Sequence, residues 1–288
     1  MTHRRGTFDH AVALPPAVGT LCLRPVTVRL LPAEVGAGLR VKREDTGQEW
    51  PVGLEYLVPA TNCTAFGDET GQVAFMEHLL ACLWAAEVTD AVISTDGPEI
   101  PLYDGSGRGL WAAVGEAGRK GSAEAIEAIE VTEPVWLVEE GQALIGLPLE
   151  QPGSETPPAG SSSTGSSSVF TYVLEHPHPV IGRQWAEFGA GDDFGAEVAP
   201  ARTWATAEQI RSTRGMEPGP EVEALCLIVY DDRMSEKPTL PQALARHKLL
   251  DLLGDLYVCG RPVEGRIVAL KTGHGDNHEF LGRLAEGA

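Results

Sequence analysis

Three segments of this chain carry residue types that can do hydrolytic chemistry. In Arg246-His247-Lys248-Leu249-Leu250-Asp251-Leu252-Leu253-Gly254-Asp255, the residues His247, Asp251 and Asp255 are spaced four apart. On an α-helix that spacing draws one polar stripe along an otherwise leucine-rich rod. Ionisable groups on a buried stripe are costly unless a cation or a charge partner neutralises them. An imidazole and a carboxylate one turn apart can reach a single zinc ion. The competing reading is a stripe that faces water. Leu244, Leu249, Leu250, Leu252, Leu253 and Leu256 surround too much of the rod to favour it.

The second segment is Glu77-His78, flanked by Phe75, Met76, Leu79 and Leu80. Neighbouring residues on a helix point about 100° apart, so one of the pair can ligate a metal while the other serves as a base on water. Catalytic zinc keeps three protein ligands and an open position. His78, His247 and Asp251 make such a set, with Glu77 as the base. The third segment is Lys271-Thr272-Gly273-His274-Gly275, where glycines on both sides suit a loop that delivers an imidazole. A cationic His274, held and charged by Asp255, could protonate a leaving amine. Read alone, the segment is first of all a loop with a solvated histidine.

These groups need a frame that brings two distant parts of the chain together. Thr20–Leu23, Val26–Leu30 and Leu39–Val41 read as strands, Phe75–Ala86 as a buried helix, Ala91–Ser94 as a strand and Leu110–Arg119 as a second helix. In the second half, Ala143–Leu147, Val169–Leu174, Leu225–Tyr230 and Arg266–Leu270 read as strands. A long helix is expected from Leu240 to Val258, with Thr239 as N-cap, Pro241 in its first turn and Gly260 as its stop. The class is α+β. A domain boundary is expected between 123 and 124, giving an N-terminal domain with Glu77 and His78 and a C-terminal domain with His247, Asp251 and His274. The Pro/Gly/Ser/Thr-rich stretch 151–168 is expected to be a flexible insertion within the second domain.

Composition narrows the partners. The 288 residues are 43% hydrophobic, enough for a sizeable core, and carry 41 acidic against 22 basic side chains, a net charge of −19. A surface this acidic disfavours nucleic acid and anionic membranes. Five cysteines without a CxxC pair argue against a disulfide framework and a cysteine zinc site, and suit a reducing cytoplasm. Neither a signal peptide nor a membrane-spanning run is expected.

Further segments join the first three in a recognisable order: Met76-Glu77-His78-Leu79-Leu80, Asp96-Gly97-Pro98-Glu99-Ile100-Pro101-Leu102-Tyr103-Asp104-Gly105-Ser106, Ala201-Arg202-Thr203, Arg246-His247-Lys248 through Gly254-Asp255, and Lys271-Thr272-Gly273-His274. Together they resemble the UDP-3-O-acyl-N-acetylglucosamine deacetylase family, the zinc amidases of the lipid A pathway. The resemblance implies two similar α+β domains of β-α-α-β type, each with an insert, with helices packed between two sheets and zinc at the junction. Iron(II) is the alternative metal. It also implies Glu77 as base, His78, His247 and Asp251 as metal ligands, Thr203 as an oxyanion stabiliser, His274 as acid and Asp255 as its orienting partner. Lys248 and Lys271 would lie near the substrate diphosphate. The region from Phe170 to Ile181, with Trp204, would form an apolar passage for the acyl chain.

The sequence departs from the family pattern in three places: Ala17 to Pro25 lacks a histidine, Trp204-Ala205-Thr206 follows Arg202-Thr203, and Gly219-Pro220 replaces a glycine pair. The expected substrate is the acylated UDP-amino sugar and the expected state a monomer. The alternatives are the same zinc chemistry on another N-acylated sugar or amine, and a ligand-binding relative without turnover.

Overall fold

The computed structural model describes residues 3–149 and 168–286. The flexible insertion expected at 151–168 lies outside the described residues except for Ser168. The architecture is α+β, built around two five-stranded mixed sheets with the same strand order. In the first, Ala91–Thr95 runs in the centre, antiparallel to Val28–Pro32 and parallel to Leu39–Arg43, with Val12–Ala13 and Glu49–Pro51 at the edges. In the second, Arg266–Leu270 takes that central place, antiparallel to Gln142–Leu147 and parallel to Val169–Glu175, with Val135–Glu139 and Arg183–Gly189 outside them. In each half the strand that enters last fills the centre.

A helix precedes each central strand and another follows it. Glu77–Ala85 leads to Ala91–Thr95, and Arg108–Ala117 comes after; Ala243–Asp255 leads to Arg266–Leu270, and His274–Glu286 comes after. Alternation along the strands gives each sheet one inward face: Phe170, Tyr172 and Leu174 are buried while the residues between them are not. The register sets Leu137, Leu144, Ala269, Tyr172 and Ala186 in one inward row. Helix Ala243–Asp255 packs on that face and against helix Glu77–Ala85. The core is continuous from Leu30 and Ile93 through Leu79, Leu80, Leu249 and Leu253 to Ile267. Both central helices are therefore buried over most of their surface, which leaves Glu77, His78, His247, Asp251 and Asp255 no solvent face.

The expected boundary at 123/124 falls inside a continuous strand, Arg119–Ile126, which pairs with His3–Phe8. Several local expectations are corrected. Thr20–Cys22 is not a strand but the turn between Ala17–Val18 and Pro25–Val26. The backbone N–H groups of Thr20, Leu21 and Cys22 all donate to the buried Glu99 carboxylate, so they are not free to pair in a sheet. Arg119 is not the end of a helix; Gly118, at φ 66, stops the helix at Ala117. The second central helix starts at Ala243, not Leu240. Its N-cap is Gln242 at φ 53, and Thr239 makes no cap. Finally, His274 sits not in a loop but at the first position of a thirteen-residue helix. That helix buries Asn277, Phe280, Leu281 and Leu284 at helical spacing.

Candidate metal centre and its hydrogen-bonded carboxylates

The two central helices cross where Gly254 meets Glu77. A Cβ on Gly254 would lie 2.0 Å from the Glu77 carbonyl oxygen, so a side chain there would hold the backbones apart. This close approach faces the first turn of helix Glu77–Ala85 towards the polar stripe of its partner. Asp251 Oδ1 lies 3.3 Å from His78 Nε2 and 3.4 Å from His247 Nε2. The two imidazoles meet edge to face, with ring centroids 5.0 Å apart. One ligand atom from each of His78, His247 and Asp251 falls within 4.8 Å of the others, and all three residues are buried.

Hydrogen bonding leaves the inward atoms of this cluster free. His247 Nδ1 approaches Ala201 O at 3.3 Å, which suits a proton on Nδ1 and a lone pair on Nε2. Burial pushes the His247 imidazole down to about 3, so it stays neutral. Burial alone would raise Asp251, but electrostatic interaction with the adjoining His247 imidazole and the Lys248 ammonium holds it well below the usual carboxylate range. Lys248 Nζ donates to Asp251 Oδ2 at 2.9 Å, while buried Oδ1 has no hydrogen-bond donor. An unpaired, ionised carboxylate oxygen facing two imidazole nitrogens is costly unless a cation sits between them. The donor set fits a zinc or iron(II) ion, since two imidazoles and a carboxylate suit either.

Beside this cluster lies a second group. Glu77 is buried, and one carboxylate oxygen, Oε2, accepts from Thr64 N at 2.8 Å. Burial raises its pKa, against the charges of His274 and His78. Asp255 is wholly buried and accepts from Thr64 Oγ1 at 2.6 Å, His274 Nδ1 at 2.8 Å and Asn277 Nδ2 at 2.8 Å. Burial would raise this carboxyl too, but His274 and His278 hold it below its ordinary value. His274 is the counterpart: burial opposes its charge, yet Asp255 carries it up to about 10. The imidazole is a cation at neutral pH, with Nε2 free of the Asp255 bond. The turn leading into it is fixed by Tyr172, whose hydroxyl donates to Thr272 O at 2.6 Å. Cys63, next to Thr64, is pushed up to about 12, chiefly by burial, so it is a thiol and not a nucleophile.

The remaining expected residues lie around these groups. Thr203 is anchored by its backbone: its N–H donates to Gly105 O at 2.7 Å and its carbonyl accepts from Leu227 N at 2.8 Å. Gly105 stands at φ 80, where a Cβ would meet Leu225 O at 2.1 Å, so this contact requires glycine. Arg202 clamps the same segment by donating to the carbonyls of Asp104, Glu223 and Ala224. Trp204 opens a strand, Trp204–Thr206, that pairs in parallel with Leu227–Val229. Two short helices lie between, the first capped by Thr206 and Gln209, the second started by Pro220. The Trp204 indole donates to Leu244 O at 3.3 Å and stands edge-on to His176, ring centroids 6.1 Å apart. Lys271 is exposed, at φ 58.

Phe170 is not in this neighbourhood. It packs edge-on against Trp84 at 5.4 Å and borders a cavity of about 620 Å3. That cavity is lined also by Trp111, Phe188 and Phe194, and by none of Glu77, His78, His247, Asp251 or His274. Sequence reasoning missed Thr64, Asn277 and His278. His278 stands 3.0 Å from Thr64 Oγ1 and 3.4 Å from Asp255 Oδ1. Its four-residue spacing from His274 was the available signal once that segment is helical; Thr64 gave none.

The profile of the UDP-3-O-acyl N-acetylglycosamine deacetylases matches residues 16–286, nearly the whole chain. The chain belongs to this family. Similar curated proteins, each called UDP-3-O-acyl-N-acetylglucosamine deacetylase, come from distant bacteria. The protein of Leptospira biflexa is 30% identical over 278 residues, covering 94% of this chain and 86% of the relative. That of Anaeromyxobacter dehalogenans is 32% identical over 271 residues, covering 93% and 83%. That of Synechocystis is 28% identical over 289 residues, covering 97% and 99%. The family member described here is thus an enzyme, an amide hydrolase of the deacetylase type. Its cysteines are free, and among the described residues no helix is long and apolar enough to cross a membrane.

Proposed function

We propose that this chain removes the acetyl group from the amide nitrogen of UDP-3-O-acyl-N-acetylglucosamine, in lipid A biosynthesis, with one zinc ion held by His78, His247 and Asp251. The observation that carries the reading is the buried Asp251 Oδ1, which has no donor and faces two imidazole nitrogens. When bound, a divalent ion supplies Lewis acidity that activates water and polarises the amide carbonyl. Lys248, by engaging Asp251 Oδ2, leaves Oδ1 for the ion.

Glu77 acts as the base on the attacking water. Its carboxylate is held through one oxygen by Thr64 N, so the other oxygen can take the proton. Thr203, anchored by its backbone between Gly105 and Leu227, stabilises the oxyanion that forms on the carbonyl oxygen. His274 then gives a proton from Nε2 to the leaving amine, because Asp255 engages its other nitrogen and keeps the ring charged. The products are free acetate and the amine. Lys271, and the N–H donors of Lys248 Nζ that Asp251 does not use, are assigned to the diphosphate of the substrate. Trp204, next to Thr203 in the chain, is assigned to the acyl chain; Phe170, which borders the separate cavity beside Trp84, is left out of that role. The expected cytoplasmic location and monomeric state belong to the same reading.

A second reading keeps the chemistry and changes the substrate to another N-acylated amine. It is favoured by the packing of Trp204 on His176 and Leu244, which gives this wall its own shape. A panel of purified N-acyl substrates separates the two. Release of acetate from the acylated UDP-sugar supports the first, and turnover of another amide without it supports the second.

A further inference from the structure

We infer that Thr64 is a positioning residue that ties the base and the acid of this site together; the inference rests on the catalytic reading above. Thr64 is wholly buried, and three of its polar groups are engaged. Its N–H donates to Glu77 Oε2 at 2.8 Å, and its carbonyl accepts from Met76 N at 3.0 Å, directly before helix Glu77–Ala85. Its hydroxyl donates to Asp255 Oδ1 at 2.6 Å and is free to accept from His278 Nε2 at 3.0 Å. One residue therefore contacts the carboxylate of the base, the start of the helix that carries it, and the carboxylate that holds the acid.

The hydroxyl is the separable part of this link. Asp255 Oδ2 is occupied by His274 and Asn277. On Oδ1 the short donor is Thr64, with His278 more distant at 3.4 Å. A carboxylate fixed at both oxygens cannot rotate about its Cβ–Cγ bond, so the plane in which His274 is held stays constant. Without the hydroxyl, only the longer His278 contact holds Oδ1, and the His274 ring gains freedom relative to Glu77. A misplaced acid slows proton delivery to the leaving amine without altering how substrate binds.

Thr64→Val keeps the shape and the backbone bonds and removes the hydroxyl; Thr64→Ser restores it. The expected result with the zinc-loaded enzyme is a fall in kcat of about ten- to a hundredfold for Thr64→Val, with KM unchanged and activity regained in Thr64→Ser. A second readout needs no turnover: the far-downfield proton resonance of His274 Nδ1 in its bond to Asp255 should persist in Thr64→Ser and broaden or move upfield in Thr64→Val. Wild-type kcat and an unchanged resonance in Thr64→Val would overturn the inference, as would a loss that Thr64→Ser fails to recover. If the wild type does not hydrolyse the acylated UDP-sugar, the catalytic reading fails, while the resonance still decides whether Thr64 positions the pair.

Discussion

Gly254 and Glu77 lie on opposite helices, yet the position of a Gly254 Cβ would be only 2.0 Å from the Glu77 carbonyl oxygen. The contact is backbone to backbone, so no side-chain rotation can relieve it. Gly254→Ala should lower stability by about 1–3 kcal/mol, the range for overpacking a close interior. It should also lower activity by separating Glu77 from His78's partners on the other helix. Urea denaturation and turnover of the same preparation check this. A stability change within about 0.5 kcal/mol would show that the helices have room to spare.

The acid and the base should be separable from the metal. Glu77→Ala and His274→Ala are each expected to lose about two to four orders of magnitude in rate while retaining metal. Metal analysis alongside steady-state rates distinguishes this from loss of a ligand. An empty site in Glu77→Ala would make Glu77 a ligand, and near-normal turnover in His274→Ala would remove it from the mechanism.

The charge on His274 makes a pH prediction with a definite sign. Its folded pKa, about 10, lies above its ordinary value of 6.5, since the attraction of Asp255 outweighs burial. The acid should therefore remain protonated across neutral pH, and kcat should fall only as pH rises through about 10. Asp255→Asn removes the charge that raises it, so the alkaline limb should move to lower pH. The stabilisation linked to this shift is complete below pH 6.5 and is lost as pH rises through about 10. A pH–rate profile whose alkaline limb is the same in wild type and Asp255→Asn would contradict the pairing.

Local spacing made part of this site legible before any coordinates. His247 and Asp251 stand one helical turn apart on a leucine-rich rod, and Glu77-His78 sits inside an apolar run, so burial of ionisable groups could be inferred from pattern alone. The α+β class followed from the mix of strand and helix periods. What the pattern did not carry was long-range: the Thr64 bond to Asp255 spans 191 residues of sequence and leaves no periodic trace. Backbone conformations also hid elements. Gln242 in the left-handed region delays the second central helix. The glycines around His274 suggested a loop, whereas Asp276 accepts from Gly273 N and a helix begins there. The Thr20–Cys22 segment alternates like a strand, but its N–H groups serve the distant Glu99.

The account turns on three side chains from two helices holding one ion. The most direct test is elemental analysis of purified wild-type, His247→Ala and Asp251→Ala proteins after removal of loosely bound metal. One equivalent of zinc or iron per wild-type chain, lost in both variants while their folds persist by circular dichroism, is the predicted result. A wild-type chain that binds no divalent metal when supplied with it, or variants that keep a full equivalent, would contradict the account.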